Sequence, residues 1–115
     1  MKFEELLTAD DHEAGAEMNV LHPVTGVPTD VYIMVKGIDS KTFRDASIQF
    51  NRKRIEGKAD DDHALDLTVA ITCGWRGIDG VDFSPEKARE LYRDSPAIRA
   101  QVDEFFTKRR NFTKG

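Results

Sequence analysis

The feature that most constrains the fold is a pair of strand-like runs between residues 17 and 37. The runs EMNVLH and TDVYIMVKG are rich in β-branched and aromatic residues and flank PVTGVP, where Gly26 permits the positive φ of a tight turn. This pattern predicts a β-hairpin in which Val31, Ile33 and Val35 share one face. Because an isolated two-stranded ribbon is marginally stable, its apolar face must pack on helices, or the ribbon must pair with another chain.

Three serines provide start signals for helices after the hairpin. Ser40, Ser84 and Ser95 are each suitable N-caps, and a proline directly follows the second and the third. Proline is favoured at the first helical position because that position needs no backbone N–H donor. The predicted helices cover about 40–56, 85–93 and 96–110.

The segment DDDHALDLTVAITCGW fits two periodicities. Alternate residues from Leu65 to Cys73 are apolar, which is typical of a strand. The aspartates at 60–62 favour a helix start, and Gly74 favours a helix stop. On these signals we expect a helix over 62–73, with a strand as the alternative.

The N-terminal residues 1–16 carry few apolar side chains after the first helical turn, and ADDHEAGAE is acidic and small. We therefore expect a loosely ordered lead-in there. The length of 115 residues suits one domain. Residues 17–115 are predicted to form a single α+β domain, mainly α, with the N-terminal hairpin followed by about four helices.

The charge balance argues against several classes of partner. The net charge of −4 does not match nucleic acid, and the basic runs at 51–54 and 107–114 suit helix C-termini. No apolar run has the length of a membrane span, and acidic residues stand where a signal peptide carries positive charge. A single cysteine, Cys73, excludes an internal disulfide, and its apolar neighbours suggest a buried thiol. We expect a cytoplasmic protein.

The charges are arranged in blocks along the chain. Residues 1–39 carry two lysines and eight acids, whereas residues 40–58 carry six basic residues and two acids. Residues 59–80 are again acidic, and residues 81–115 are weakly basic. Such blocks complement one another within a fold or match partner surfaces.

The glycine-rich stretch GWRGIDG at 74–80 is best interpreted as a turn. Its glycines do not have the dinucleotide-binding spacing, and no lysine follows the last one as a phosphate loop requires. The clusters DDHE and DDDH lack zinc or EF-hand spacing, and His22 fits a hairpin position. The sequence therefore predicts no catalytic, cofactor-binding or metal site. Trp75, followed by Arg76, is a typical protein-interface anchor and also a plausible core residue.

The order of these features resembles a known family. The residues GWRGIDGVDFSPEKARELYRDSPAIRAQVDEFFTKRRNF are similar to the C-terminal half of tail assembly chaperones from long-tailed bacteriophages. The shared features are a Trp-x-Gly turn, a short extended segment with an aromatic residue, a Ser-Pro-Glu helix start and a final helix with a basic-aromatic end. The N-terminal part, HPVTGVPTDVYIMVKGIDSKTFRDA, resembles small phage tail proteins, so the resemblance covers about residues 17–112.

The resemblance implies a binding protein and not an enzyme. Such chaperones bind the long, mostly helical tape measure protein and keep it soluble before the tail tube assembles. The chain is then expected in the host cytoplasm and not in the mature virion. Its partners would be the tape measure protein and other phage tail proteins, with self-association into a homo-oligomer left open. The resemblance also favours the helix over the strand at 61–73.

Six residues are candidates for the protein interface, and two other functions stay open. One alternative is a structural tail or connector protein that stays in the virion. The other is a small nucleic-acid-binding regulator, for which the basic runs would contact phosphates. The interface candidates are Trp75, Arg76, Phe83, Tyr92, Phe105 and Phe106.

Overall fold

The computed structural model describes residues 1–57 and 61–112. Asp60, part of the predicted helix start signal, lies outside the described residues, as does the end of the 107–114 basic run. The fold class is the predicted one, because the chain is α+β and mainly helical. The strands are β1 (Ala16–Leu21), β2 (Pro28–Val35) and β3 (Thr72–Arg76). The helices are α1 (Ala9–Ala14), α2 (Lys41–Ile55), α3 (Asp61–Ala70), α4 (Pro85–Asp94) and α5 (Pro96–Thr107), with 3₁₀ turns at Phe3–Leu6 and Arg109–Phe112.

Strand β2 lies at the centre of a three-stranded antiparallel sheet of order β1-β2-β3. The predicted hairpin is confirmed and pairs within the chain, with Met18 opposite Ile33. Ile33 and Val35 are fully buried, as the alternation predicted, whereas Tyr32 and Met34 on the opposite face are partly exposed. Helices α3, α4 and α5 supply most of the other core residues and cover one face of the sheet.

The predicted helix over 62–73 is too long at its C-terminal end. Helix α3 ends at Ala70, and Thr72 begins strand β3. Gly74 is therefore not a helix stop, because it lies within β3 opposite Met34. In the hairpin, only one edge of β2 forms hydrogen bonds with β1. The backbone N–H and C=O groups at the other edge form hydrogen bonds with β3. The helical and strand patterns thus apply to successive parts of the same segment.

The serine caps explain two of the three predicted helix starts. The Ser40 side chain accepts a hydrogen bond from the Phe43 backbone N–H, and Ser84 accepts one from Lys87 N–H. Ser95 forms no side-chain capping bond, although α5 begins at the proline that follows it. Helix α5 ends at Thr107, before the predicted position 110, because a 3₁₀ turn redirects the chain towards α1.

The N-terminal segment is ordered at its C-terminal end, contrary to the expected loose lead-in over residues 1–16. Helix α1 places His12 at only 1% exposure, with its ring stacked on Phe112 at 4.8 Å between centroids. The Nδ1 atom of His12 accepts a hydrogen bond from Asp39 N–H at 3.0 Å. The sequence did not predict the burial of His12, because its neighbours are acidic and no apolar periodicity marks it as a core position.

Acid should weaken the docking of α1 through the protonation of His12. Burial lowers the pKa of His12 from 6.5, although Asp39 opposes this shift. The unfolded chain therefore binds the proton more readily, and stability is lost as the pH falls below about 6.5. Denaturant unfolding between pH 7 and 5 should show this slope, and His12→Asn should flatten it. Parallel unfolding curves for the wild type and His12→Asn would contradict this role of His12.

Two carboxylates in the same region extend the loss of stability to lower pH. Hydrogen bonds from Arg109 and Thr8 lower the pKa of Asp39 to about 2. Hydrogen bonds from Lys36 and Thr42 likewise lower the pKa of Glu13 to about 2. Since both folded pKa values lie below the unfolded ones, this stability is present above about pH 4 and is lost towards pH 2.

Gly37 should tolerate no side chain, because it lies against His12. A Cβ built on Gly37 would lie 2.1 Å from His12 Nδ1. Gly37→Ala should therefore cost about 1–3 kcal/mol in the free energy of unfolding, as is usual for overpacking. Gly74→Ala is the matched control, because its Cβ would meet no atom within 4 Å, and its effect should stay within about 0.5 kcal/mol. Equal effects of the two changes in urea unfolding would contradict the close packing of His12 on Gly37.

Candidate functional site

The glycine-rich stretch covers the end of β3 and the start of the loop that connects β3 to α4. Gly77 has a φ of 91°, in the left-handed region that favours glycine. A Cβ there would also lie 2.2 Å from the Asp30 carbonyl oxygen, so the loop contacts the start of β2 closely. The predicted turn is found at residues 77–80, whereas residues 74–76 belong to β3.

Trp75 holds this loop against the end of β3. Its indole Nε1 donates a hydrogen bond to the Val81 carbonyl oxygen at 3.1 Å. The indole also meets the Phe83 ring edge to face, at 5.1 Å between centroids. Aromatic pairs in this geometry stabilise beyond the area that they bury. The polar end of the indole is thus satisfied within the loop, and part of its apolar surface stays accessible.

Between this loop and α4 lies an open apolar groove, which we name the tryptophan groove. Its volume is about 300 Å³, at the lower end of the range of small-molecule pockets. Its apolar wall includes Val81, which is 36% exposed. A groove of this size and shape fits one or two aliphatic side chains of another protein. The lining residues are Trp75, Ile78, Val81, Lys87, Glu90, Leu91, Asp94 and Ser95.

The rim of the tryptophan groove is acidic. Glu90 and Asp94 line it on α4, and Asp79 and Asp82 are exposed on the loop next to its apolar residues. Lys87, the cation in the lining, pairs with Glu90 at 3.1 Å, and Arg93 pairs with Asp94 at 3.3 Å, so the net negative charge comes from Asp79 and Asp82. The groove therefore combines an apolar floor with a negative surround, which favours a partner that carries apolar and basic side chains together.

Of the six candidate residues, Trp75 alone lines this groove, and Phe83 packs against its indole. Arg76, the next residue along β3, lies on the opposite face of the sheet. Its guanidinium sits 4.0 Å from the Tyr32 ring centroid and pairs with Glu17 at 2.8 Å. Arg76 is thus exposed but belongs to a different surface.

Two of the candidate residues are core residues, which corrects their assignment to an interface. Tyr92 is 1% exposed, and its hydroxyl lies 2.6 Å from Thr72 Oγ1. Burial raises the pKa of Tyr92 to about 12. Phe106 is also buried and packs on Phe43 at 5.1 Å between ring centroids. An aromatic residue at helical spacing serves a core and an interface equally well, so spacing alone did not separate the two roles.

Phe105, the remaining candidate, is partly exposed beside a second groove between β1 and α5. Its ring packs on Phe112 at 5.5 Å between centroids. Charged and amide side chains, including Gln101 and Lys108, line this second groove together with Met18. Because that lining is more polar, the tryptophan groove is the better apolar binding surface.

Sequence reasoning missed the aliphatic part of the tryptophan groove. Ile78 and Val81 flank the Asp79-Gly80 turn, and Leu91 lies on α4. The sequence signal for this surface is the pair of aliphatic residues on either side of the Asp-Gly turn, since solvated turns rarely carry aliphatic residues. The exposure of Cys73 also differs from the buried thiol that its neighbours suggested.

Within the described ranges 1–57 and 61–112, no group of three or more His, Cys, Asp or Glu side chains is placed to hold a metal ion. None of the described helices has the length and apolar character needed to cross a membrane. Comparison with protein-family models, with curated proteins and with solved structures gives no match.

Proposed function

We propose that this chain is a tail assembly chaperone of a long-tailed bacteriophage that binds the tape measure protein at the tryptophan groove. The observation that carries the proposal is an open apolar groove with an aromatic wall on a small, highly charged domain. The order of motifs over residues 17–112 supports the family, and the groove supports a binding role. In this role the chain covers apolar surface of a client and performs no chemistry.

The groove suits a helical client. An amphipathic helix presents apolar side chains at successive turns, and such side chains anchor in apolar grooves of a partner. Tryptophan is enriched among the residues that contribute most to protein binding, and Trp75 forms one wall. The hydrogen bond from Trp75 to Val81 holds the loop in place before the client arrives, so little ordering cost remains to be met on binding.

The charges around the groove also suit a solubilising role. A client helix with an uncovered apolar stripe aggregates through that stripe. Docking in the tryptophan groove covers part of the client's apolar surface. The acidic side chains on α4 and the loop then surround the covered part. The complex thereby presents charged surface where the free client presented apolar surface.

A structural tail or connector protein is the second candidate, and strand β3 is the observation that favours it. Strand β3 is at an edge of the sheet, because the order is β1-β2-β3. An edge strand offers backbone N–H and C=O groups to a strand of another chain. Mass spectrometry of purified virions separates the candidates, because a structural protein is present at many copies per particle.

Co-expression with an insoluble fragment of the tape measure protein tests the proposed function. The wild-type chain should make the fragment soluble. Val81→Asp places a charge on the apolar wall, so it should weaken binding by roughly 10- to 100-fold, and the fragment should precipitate again. Val24→Asp is the matched control, because Val24 is 86% exposed in the hairpin turn, and it should rescue like the wild type.

Each outcome of this experiment has one reading. If Val81→Asp retains the wild-type circular dichroism spectrum and melting temperature and still rescues the fragment, the groove is not the client site. If the wild-type chain fails to rescue the fragment and is found at many copies in virions, the second candidate replaces the first.

A further inference from the structure

The outer face of helix α2 carries two exposed isoleucines. None of the residues of α2 is fully buried. Its inner side packs on α3 through residues such as Phe50. Ile48 and Ile55 lie on the other side, at 49% and 84% exposure. They are seven residues apart, so they share one face at a spacing of two helical turns.

The same face of α2 is basic. Lys41, Arg44 and Arg52 lie at helical spacings that place them beside the two isoleucines. Within the part of the chain that the structure describes, none of these three cations pairs with a carboxylate. We name this face the α2 stripe; it consists of Lys41, Arg44, Ile48, Arg52 and Ile55.

The α2 stripe and the tryptophan groove are complementary in both respects. The stripe offers protruding aliphatic side chains with cations beside them. The groove offers an apolar recess of about 300 Å³ with the exposed Asp79 and Asp82 on the loop beside it, whereas the lining acids Glu90 and Asp94 are paired with cations on α4. Apolar contact would be at the centre of such an interface, with opposite charges at its rim.

The stripe cannot reach the groove of its own molecule. Helix α3 lies between α2 and α4, because it packs against each of them while α2 and α4 share no extended contact. The stripe faces away from α3. The groove lies on the far side of α3, on α4 and the loop that precedes it. A stripe that fills a groove therefore belongs to a second copy.

We propose that the α2 stripe of one copy of this chain docks in the tryptophan groove of another copy. The two surfaces differ, so each docked pair retains one open stripe and one open groove. Contacts of this type add further copies and produce rings or open chains. The inference does not depend on the identity of the client, although a client in the groove would compete with the stripe.

Sedimentation velocity over roughly micromolar to millimolar concentrations tests this proposal. The average mass of the wild-type chain should rise with concentration, and the rise should weaken at high salt because rim charges are screened. Ile55→Asp should keep the chain monomeric over the same range, whereas Val24→Asp, an equally exposed valine in the hairpin turn, should associate like the wild type.

Two charge-reversal variants on α2 test how much the cations of the stripe contribute to association. Arg52→Glu removes a cation of the stripe and should shift the association to at least roughly tenfold higher concentration. Arg54→Glu makes the same charge change on the same helix, outside the stripe, and should shift it much less. Equal shifts for the two variants would mean that net charge, and not the stripe, controls association.

Mixing two variants tests the pairing of the two surfaces. Ile55→Asp lacks a working stripe, and Val81→Asp lacks a working groove, so each alone should be monomeric. Their mixture retains one good stripe and one good groove and should form a 1:1 dimer that grows no further. A mixture that stays monomeric, although wild-type chains associate, would overturn the proposed pairing.

Two further results would overturn the proposal. One is a wild-type chain that stays monomeric at every concentration. The other is association that disappears after nuclease treatment, which would make the stripe a phosphate-binding surface. The outcome is distinguishable from that of the client experiment, because Ile55→Asp leaves the groove intact and should still rescue the tape measure fragment.

Discussion

Strand β3 pairs with the edge of β2 that the hairpin leaves free, and this pairing builds the sheet on which the helices pack. A two-stranded hairpin is marginal by itself, and the third strand completes the sheet on which the helices pack. The same pairing sets Trp75 directly opposite Ile33, the fully buried centre of β2. The indole is therefore held at the edge of the core, where one part is packed and another part lines a groove. Both proposed contacts of this protein use that position.

A second constraint links the two ends of the chain. His12 from α1 fills a space beside Gly37 and stacks on Phe112 from the last 3₁₀ turn. Asp39 joins the same cluster through a two-pronged pair with Arg109, at 2.9 and 3.0 Å. Asp39 directly precedes the Ser40 cap, so these contacts fix the position of the first turn of α2 and thereby the direction in which its outer face points. The exposed isoleucines of the α2 stripe follow from that orientation.

The parts of the fold that local signals determine could be predicted from the sequence. The hairpin turn at Gly26 and the caps at Ser40 and Ser84 depend on nearby residues alone, and all three are found. Strand β3 and the docking of His12 depend on partners far along the chain, which a periodicity does not reveal. The same distinction between local and distant signals applies to the tryptophan groove. Trp75 stands out by its residue type, whereas Val81 becomes part of a surface only when the loop folds back on the indole.

The emission of Trp75, the single tryptophan of the chain, shows whether a client binds in the tryptophan groove. A labelled tape measure fragment whose anisotropy reports binding would be titrated against the full chain while Trp75 emission is recorded. If the client binds there, the emission should shift to shorter wavelength and saturate together with the anisotropy, because an apolar side chain replaces water beside the indole. Anisotropy that saturates while the tryptophan emission stays unchanged would contradict client binding in the groove.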